Sequence, residues 1–131
     1  MLDDVIELSI MVKDLETTIK RFETLFGLKV YQRGESKEFG FKNAILPLGK
    51  GHIELMQPTD PSKAVARFLE TRGEGVYLDG FEVEDIPGSV KKLREKGARV
   101  TETNTDFPVA WVHPKDAHGV FVELRKTQQY S

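Results

Sequence analysis

Apolar and polar residues alternate near the start of the chain, in the way expected of a β-strand. Ile6 and Leu8 fall on one side of this pattern, and Glu7 and Ser9 fall on the other. Because successive side chains of a strand point to opposite faces, the alternation predicts a strand over about 5–12 with one face in the core. Glu7 is predicted to point away from that core.

A helical spacing of apolar residues follows this strand. Leu15, Ile19 and Phe22 recur at intervals of three or four, Asp14 is an N-cap residue, and Gly27 can adopt the left-handed C-cap conformation. Three further strands are predicted at about 28–33, 38–46 and 51–57, separated by turn residues at Arg33-Gly34-Glu35 and Gly49-Lys50-Gly51. The predicted order is βαβββ.

The same pattern returns in the second half of the chain. Val12-Lys13-Asp14-Leu15 is matched by Val83-Glu84-Asp85-Ile86, and Gly27-Leu28-Lys29-Val30 is matched by Gly97-Ala98-Arg99-Val100. Both matches lie about 70 residues apart. This near-constant spacing predicts two copies of one supersecondary unit.

A connecting helix and a second module complete the predicted order. Asp60-Pro61 suits a helix start, because proline is tolerated in the first turn, and the helix is predicted over about 60–73. The first module then covers about 4–58, and the second covers about 75–125. The second module is predicted to contain a strand at about 75–83, a helix from Asp85 to Gly97, and strands at about 98–102, 108–113 and 119–124.

Length and composition narrow the class of protein. A chain of 131 residues with 39% hydrophobic residues can form one domain with its own core. The charges of the 19 basic and 21 acidic residues nearly cancel, so the net charge does not indicate nucleic-acid binding. A small-molecule partner is expected instead. The chain has no cysteine, no signal-like start and no membrane-spanning apolar run. We expect a cytoplasmic protein without membrane partners.

Glutamates are the main candidates for chemistry. Ile53 and Leu55 take the core face of their predicted strand, which leaves Glu54 on the opposite face, and Glu123 has the equivalent place in the second module. If the two modules fold alike, Glu7, Glu54 and Glu123 line a shared cleft. Carboxylates gathered there would shift their pKa upward, share protons or bind a cation. Such groups suit general acid/base catalysis or a hard divalent cation, and exposure on a solvated sheet face is the alternative.

Several segments carry a resemblance to a known family. They are Ile10-Met11-Val12-Lys13-Asp14-Leu15-Glu16, Ala44-Ile45-Leu46-Pro47-Leu48-Gly49, Ile53-Glu54-Leu55-Met56-Gln57-Pro58, Val65-Ala66-Arg67-Phe68-Leu69, Arg72-Gly73-Glu74-Gly75, His113-Pro114-Lys115-Asp116 and Gly119-Val120-Phe121-Val122-Glu123-Leu124. Together they resemble the vicinal oxygen chelate superfamily, which includes glyoxalase I, bleomycin-resistance proteins and extradiol dioxygenases, and they are most similar to its methylmalonyl-CoA epimerase branch. The resemblance implies an α+β fold of two βαβββ modules that form a curved, eight-stranded incomplete barrel with a central cleft. It also implies a homodimer.

The resemblance also implies a metal site, but this chain departs from the pattern. Glu7 stands at the first usual histidine position and Leu78 at the second, whereas Glu54 and Glu123 keep their places. Glu7, Glu54 and Glu123 are therefore the predicted metal ligands. Such an all-carboxylate set would suit Mg²⁺, Mn²⁺, Ca²⁺ or Co²⁺, and absence of a cation is the alternative.

The activity implied by the resemblance is proton transfer at the carbon next to a thioester carbonyl. Glu38 occupies a place similar to the family's Glu-Gln-Gly segment and is predicted as one acid/base group, with Glu123 as the other. The substrate is then a small molecule such as an acyl-CoA. A metal-free ligand-binding protein of the bleomycin-resistance type and a glyoxalase I-like lyase are the alternatives.

Three other residues have open interpretations. Asp79 is predicted on the core face of its strand, unless a bulge at Gly80 turns it into the cleft. His52 is interpreted as a rim residue, with metal ligation as the alternative. Trp111 is interpreted either as a packing residue or as a surface on which a ligand stacks.

Overall fold

The computed structural model describes residues 1–103 and 107–130. The elements within these residues are β1 (Val5–Met11), α1 (Leu15–Phe26), β2 (Gln32–Ser36), β3 (Phe41–Leu48), β4 (Gly51–Pro58), α2 (Ala64–Arg72), β5 (Gly75–Glu82), α3 (Ile86–Glu95), β6 (Val100–Glu102), β7 (Ala110–Val112) and β8 (Val122–Arg125). A short 3₁₀ helix spans Pro114–Asp116. The βαβββ order therefore occurs twice with one helix between, as the sequence predicts.

The strands form one open eight-stranded sheet in the order β2-β3-β4-β1-β5-β8-β7-β6. Strand β5 pairs with β8 in parallel, and β8 pairs with β7 in antiparallel orientation. The predicted α+β fold is confirmed, and the sheet is not closed into a barrel because β2 and β6 lie at its two ends. Within the described residues, none of the helices has both the length and the apolar character needed to cross a membrane.

The contacts divide the chain into two compact units. The first unit contains residues 8–77 together with Tyr130, and the second unit contains residues 1–7, 78–103 and 107–129. These units differ from the modules predicted at about 4–58 and 75–125, because the first residues of β1 belong with the second half of the chain. The module boundaries stay a prediction.

In the first unit, α1 packs its apolar face on the sheet. Leu15 and Ile19 are buried in one cluster with Ala44, Leu46 and Leu55 of β3 and β4. Burying a leucine or isoleucine side chain stabilises a fold by about 1.5–3 kcal/mol. The helix begins after Asp14, whose side chain accepts the Thr17 N–H at 3.0 Å, and it ends at Gly27 with φ 68°. Both predicted caps are confirmed.

In the second unit, α3 repeats this arrangement. Ile86 and Val90 are buried against apolar side chains of the strands, which are Val83, Ala110 and Leu124. The helix begins after Asp85, whose side chain accepts the Gly88 N–H at 3.1 Å. Asp14 and Asp85 thus have the same role in the two halves, which confirms the internal repeat at these positions.

Two predicted boundaries are wrong. Strand β2 includes residues 33–35, where a turn was predicted, and the turn instead occupies 37–40. Local chemistry explains this, because the Ser36 hydroxyl accepts the Phe39 N–H and Gly40 has φ 72°. Helix α2 begins at Ala64 and not at Asp60, since the Asp60 carboxylate instead closes a turn by accepting the N–H of Ser62.

Two further predictions concern the strand faces of Glu7 and Asp79. Glu7 and Ser9 lie on the face of β1 opposite Ile10, which packs against the core cluster of α1, so Glu7 points away from that apolar face as predicted. This polar face is nevertheless buried, because Glu7 and Ser9 are only 5% and 1% exposed. On β5, Asp79 is half-buried while Gly80 is buried. The register with β8 is unbroken through Asp79 and Gly80, so the strand has no bulge that turns Asp79 elsewhere.

Candidate active site

Two carboxyl groups in the second unit share one arginine. Arg125 Nη1 donates to Glu7 Oε2 at 2.5 Å and to Glu123 Oε2 at 3.0 Å. The exposed fractions of the three side chains are 8% for Arg125, 5% for Glu7 and 9% for Glu123. The three groups therefore interact in a buried environment where water screens charges weakly. We call these three residues the carboxyl–arginine cluster.

Strand geometry builds this cluster. Glu123 and Arg125 are two residues apart on β8, so both side chains leave the same face. Gly80 lies opposite Glu123 in the parallel register of β5 and β8. A Cβ at Gly80 would come within 2.5 Å of Glu7 Cβ and 3.2 Å of Arg125 Cδ. The glycine therefore leaves the space that Glu7 and Arg125 fill.

Two aromatic residues surround the cluster. Trp111 lies opposite Glu123 in the antiparallel register of β7 and β8, and its Nε1–H donates to Glu123 Oε1 at 2.8 Å. The Arg125 guanidinium lies 4.9 Å from the centre of the Phe107 ring, within the range of a cation–π interaction. Trp111 thus has a hydrogen-bonding role that neither sequence interpretation included.

The protonation of Glu123 follows from this environment. Burial raises the pKa of Glu123 well above its ordinary value, and the neighbouring Glu7 carboxyl raises it further through its charge and a hydrogen bond. Arg125 and Trp111 act in the opposite direction without cancelling the rise in pKa. Burial acts to lower the pKa of Arg125, but Glu7 and Glu123 outweigh it and the pKa rises. Glu123 is thus suited to hold a proton that an exposed carboxylate would release.

The third predicted glutamate lies in the first unit with its own hydrogen-bond donors. Ser9 Oγ donates to Glu54 Oε1 at 2.6 Å, and Asn43 Nδ2 donates to Glu54 Oε2 at 2.6 Å. Burial raises the pKa of Tyr77, and the nearby charge of Glu54 raises it further. In each half of the chain, a glutamate of the last strand is thus held by a donor from the adjacent strand, Asn43 or Trp111.

The predicted acid/base residue Glu38 lies in the first unit. It is exposed, in the turn of residues 37–40 between β2 and β3, and not in the strand predicted at about 38–46. The structure thus brings Glu7 and Glu123 together in the second unit, while Glu38 and Glu54 belong to the first unit. The roles of Glu38 and Glu123 in catalysis stay predictions.

The carboxyl–arginine cluster does not fit a divalent metal ion. Its carboxyl oxygens face a guanidinium, and Leu78, at the second predicted histidine position, is a buried apolar residue. Among residues 1–103 and 107–130, no group of three or more His, Cys, Asp or Glu side chains is placed to hold a metal ion. Metal ligation by Glu7, Glu54 and Glu123 stays a prediction.

The histidines are placed as follows. His52 is 4% exposed and bonds through Nδ1 to the Tyr130 hydroxyl, so its interpretation as a rim residue is wrong. The reason is that the Tyr130 ring packs against the His52 ring in an edge-to-face contact, with the ring centres 5.7 Å apart. His113 accepts the Lys115 N–H at 3.1 Å and positions the 3₁₀ turn. His118 is exposed.

Sequence reasoning missed Arg125, Ser9 and Asn43. Arg125 could have been found, because it shares a strand face with Glu123 at a spacing of two. Ser9 shares a face with Glu7 in the same way. Asn43 gives no such signal, since its contact with Glu54 depends on the register of β3 with β4, in which Asn43 lies opposite Met56.

Comparison with known proteins identifies the family. The model of the glyoxalase/bleomycin resistance protein/dioxygenase superfamily matches residues 7–122. Because this match spans most of the chain, the protein belongs to that superfamily. The resemblance inferred from the sequence segments is confirmed.

Within this superfamily the chain is similar to epimerases of acyl-CoA. The ethylmalonyl-CoA/methylmalonyl-CoA epimerase of Cereibacter sphaeroides is 31% identical over 125 residues, which are 90% of this chain and 93% of that protein. A Streptomyces coelicolor methylmalonyl-CoA epimerase variant, solved in complex with 2-nitronate-propionyl-CoA, superposes with a TM-score of 0.90 at 26% identity, covering 98% of this chain and 100% of that one. A methylmalonyl-CoA epimerase in complex with methylmalonyl-CoA and NH₄⁺ has a TM-score of 0.88 at 26% identity, covering 100% and 99%.

Proposed function

We propose that this chain is an epimerase that inverts the carbon between the thioester and the carboxylate of a small acyl-CoA such as methylmalonyl-CoA. The observation that carries the proposal is the 31% identity with an ethylmalonyl-CoA/methylmalonyl-CoA epimerase over 90% of the chain. The fold similarity to an epimerase in complex with methylmalonyl-CoA supports the same substrate class.

The chemistry needs two acid/base groups. One carboxylate takes the proton from the carbon next to the thioester carbonyl, the C–H electron pair moves into the carbonyl to give an enolate, and a second group returns a proton to the opposite face. We propose Glu123 and Glu38 for these steps. Trp111 and Arg125 fix both oxygens of Glu123, which favours one orientation of that carboxyl group. Glu38 is exposed in its turn and free of any strand pairing.

The family resemblance further supports a homodimer as part of this proposal. The size-exclusion mass of the purified chain, measured by light scattering, tests the dimer separately from activity. A mass of one chain at micromolar concentration would contradict this part of the proposal alone.

Deuterium exchange tests the enzymatic proposal. The folded protein is incubated in D₂O with each epimer of methylmalonyl-CoA, and deuterium at the reacting carbon is followed by mass spectrometry together with the ratio of epimers. We expect epimerisation with deuterium incorporated from solvent. Absence of both in folded protein, for both epimers, would overturn the proposal.

Single variants then assign the two groups. In a two-base mechanism each group faces one side of the carbon, so Glu38→Gln should exchange the proton of one epimer only and should not epimerise. Glu123→Gln should give the mirror-image result. Glu35→Gln is the matched control, because Glu35 is also an exposed carboxylate. It lies on β2, three residues before Glu38. Equal epimerisation by Glu38→Gln and the control would remove Glu38 from the mechanism.

A metal-free ligand-binding protein of the bleomycin-resistance type is the second candidate. The observation that favours it is that Arg125 already bonds one oxygen of Glu7 and one oxygen of Glu123. Calorimetric binding of an acyl-CoA or an aromatic cation without any exchange would support this candidate over the enzyme.

A further inference from the structure

We propose that the guanidinium of Arg125 replaces a divalent cation in this chain, so that Glu7 and Glu123 hold an internal organic cation and not a metal ion. The inference goes beyond the proposed function, since it concerns what neutralises the two carboxyls and stands whether or not the chain is an epimerase.

The first argument is the contact geometry. A single nitrogen, Arg125 Nη1, lies within hydrogen-bond distance of one oxygen from each carboxyl, at 2.5 Å from Glu7 and 3.0 Å from Glu123. A cation that bridged the same two oxygens would need the position that this nitrogen fills. A metal ion and the guanidinium therefore exclude each other at these oxygens, and their positive charges also repel.

The second argument is the supply of other ligands. Mg²⁺ needs six oxygen ligands in near-ideal octahedral geometry, and Ca²⁺ takes six to eight. The other oxygen of Glu123 already accepts the Trp111 N–H at 2.8 Å. On β5, Leu78 is apolar and Gly80 has no side chain, so neither side chain can supply an oxygen ligand. The described part of the second unit thus offers a metal ion few of the donors it needs.

The third argument is that the surrounding structure is shaped for the arginine. The missing Cβ of Gly80 leaves room for Arg125 Cδ, and the Phe107 ring lies 4.9 Å from the guanidinium carbon. An aromatic face favours a delocalised guanidinium over a hydrated metal ion. Glu7 also suits the arginine. It stands at a position where the family resemblance implies a metal-binding histidine, and a carboxylate forms a strong charged hydrogen bond with a guanidinium.

The test combines metal content with thermal stability. Protein purified without chelators is analysed for metals by mass spectrometry, and Tm is measured alone, with EDTA, and with MnCl₂ or CoCl₂. For the native chain we expect substoichiometric metal and a Tm that neither EDTA nor the added cations change. Arg125→Met should lower Tm by more than about 5 °C, because two buried carboxyls lose their cation, and Mn²⁺ or Co²⁺ should restore part of the loss.

Arg99→Met is the matched control. Arg99 also pairs with a carboxylate, Asp116 at 3.0 Å, but its side chain is 59% exposed. This variant should change Tm little and should not respond to Mn²⁺ or Co²⁺.

Two results would overturn the inference. One is about one equivalent of a divalent metal in the native protein whose removal by EDTA lowers Tm. The other is a folded Arg125→Met variant that responds to the cations no more than Arg99→Met does. If Arg125→Met does not fold, the metal content and EDTA response of the native chain decide. A lack of deuterium exchange would contradict the epimerase proposal and leave these readouts unchanged.

Discussion

The oxygens of Glu54 show how single side chains stabilise a half-buried charge. One oxygen accepts a hydrogen bond from Ser9 Oγ and the other accepts one from Asn43 Nδ2, both at 2.6 Å. Hydrogen bonds to a charged group stabilise more than those between neutral groups, so removing one donor weakens the compensation for the water that the carboxylate loses on burial. Ser9 is 1% exposed, so little water can take its place.

Ser9→Ala should therefore destabilise the protein by about 1–2 kcal/mol. Ser62→Ala is the matched control, because the Ser62 hydroxyl donates to Asp60 at 2.7 Å in an exposed turn where water can replace it. Urea unfolding followed by circular dichroism measures both. Equal destabilisation by the two variants would contradict the view that burial makes the Ser9 hydrogen bond important.

The helices are defined by their ends as much as by their apolar faces. Asp14 and Asp85 occupy corresponding places before α1 and α3, and each accepts a backbone N–H of the first turn, from Thr17 and Gly88 respectively. Since the first N–H groups of a helix have no partner within it, such an acceptor selects where the helix begins. Helix α2 has no such side-chain cap at Lys63, which is consistent with its wrongly predicted start.

Asp85→Ala should lower the free energy of unfolding by about 1 kcal/mol through loss of the α3 cap. Asp85→Asn is the control, because its side-chain oxygen can still accept the Gly88 N–H. In thermal unfolding, Asp85→Ala should have a lower Tm than the native protein, and Asp85→Asn should not. A similar fall in Tm for asparagine would mean that charge, not the hydrogen bond, is the important contribution.

For the molecule as a whole, pKa shifts divide the pH scale into two ranges with opposite effects on stability. In the acidic range, the side-chain hydrogen bond from Arg99 lowers the pKa of Asp116 to about 2, and backbone hydrogen bonds lower the pKa of Asp14 and Asp60. These carboxylates stabilise the fold above their ordinary pKa of 3.8, and this contribution is lost as pH falls through their folded pKa.

Glu123 acts in the opposite direction. Burial and then Glu7 raise its pKa well above 4.5, so the folded protein binds a proton that the unfolded chain releases. This contribution is fully present below pH 4.5 and is lost as pH rises through the folded pKa. The native protein should therefore lose stability as pH rises above 4.5, and Glu123→Gln should lose less over the same range.

Urea unfolding of both proteins between pH 4 and pH 9 measures this difference. Glu35→Gln is the control and should follow the native curve, because Glu35 is exposed on β2. Parallel curves for the native protein and Glu123→Gln would show that Glu123 is not protonated in the folded state, against the expected rise of its pKa.

The arrangement of elements could be predicted from the sequence because it depends on local patterns. The spacing of Leu15 and Ile19, the cap Asp14 and the C-cap Gly27 each act within a few residues, and all were confirmed in α1. The repeat of these signals at Asp85 was enough to predict a second copy. Where a local signal was ambiguous, as at residues 33–35, the predicted turn was wrong.

The environments of the glutamates could not be predicted in this way. The alternation of β1 correctly places Glu7 and Ser9 on one face, but whether that face meets solvent depends on what packs against it. The partners of Glu7 show the reason, since Arg125 lies 118 residues away and reaches it only because β5 and β8 pair in parallel beside Gly80. Local residue patterns thus decide which elements form and which residues share a face. The pairing of distant strands decides which charges meet and how deeply they are buried, because neither quantity is a property of a short segment.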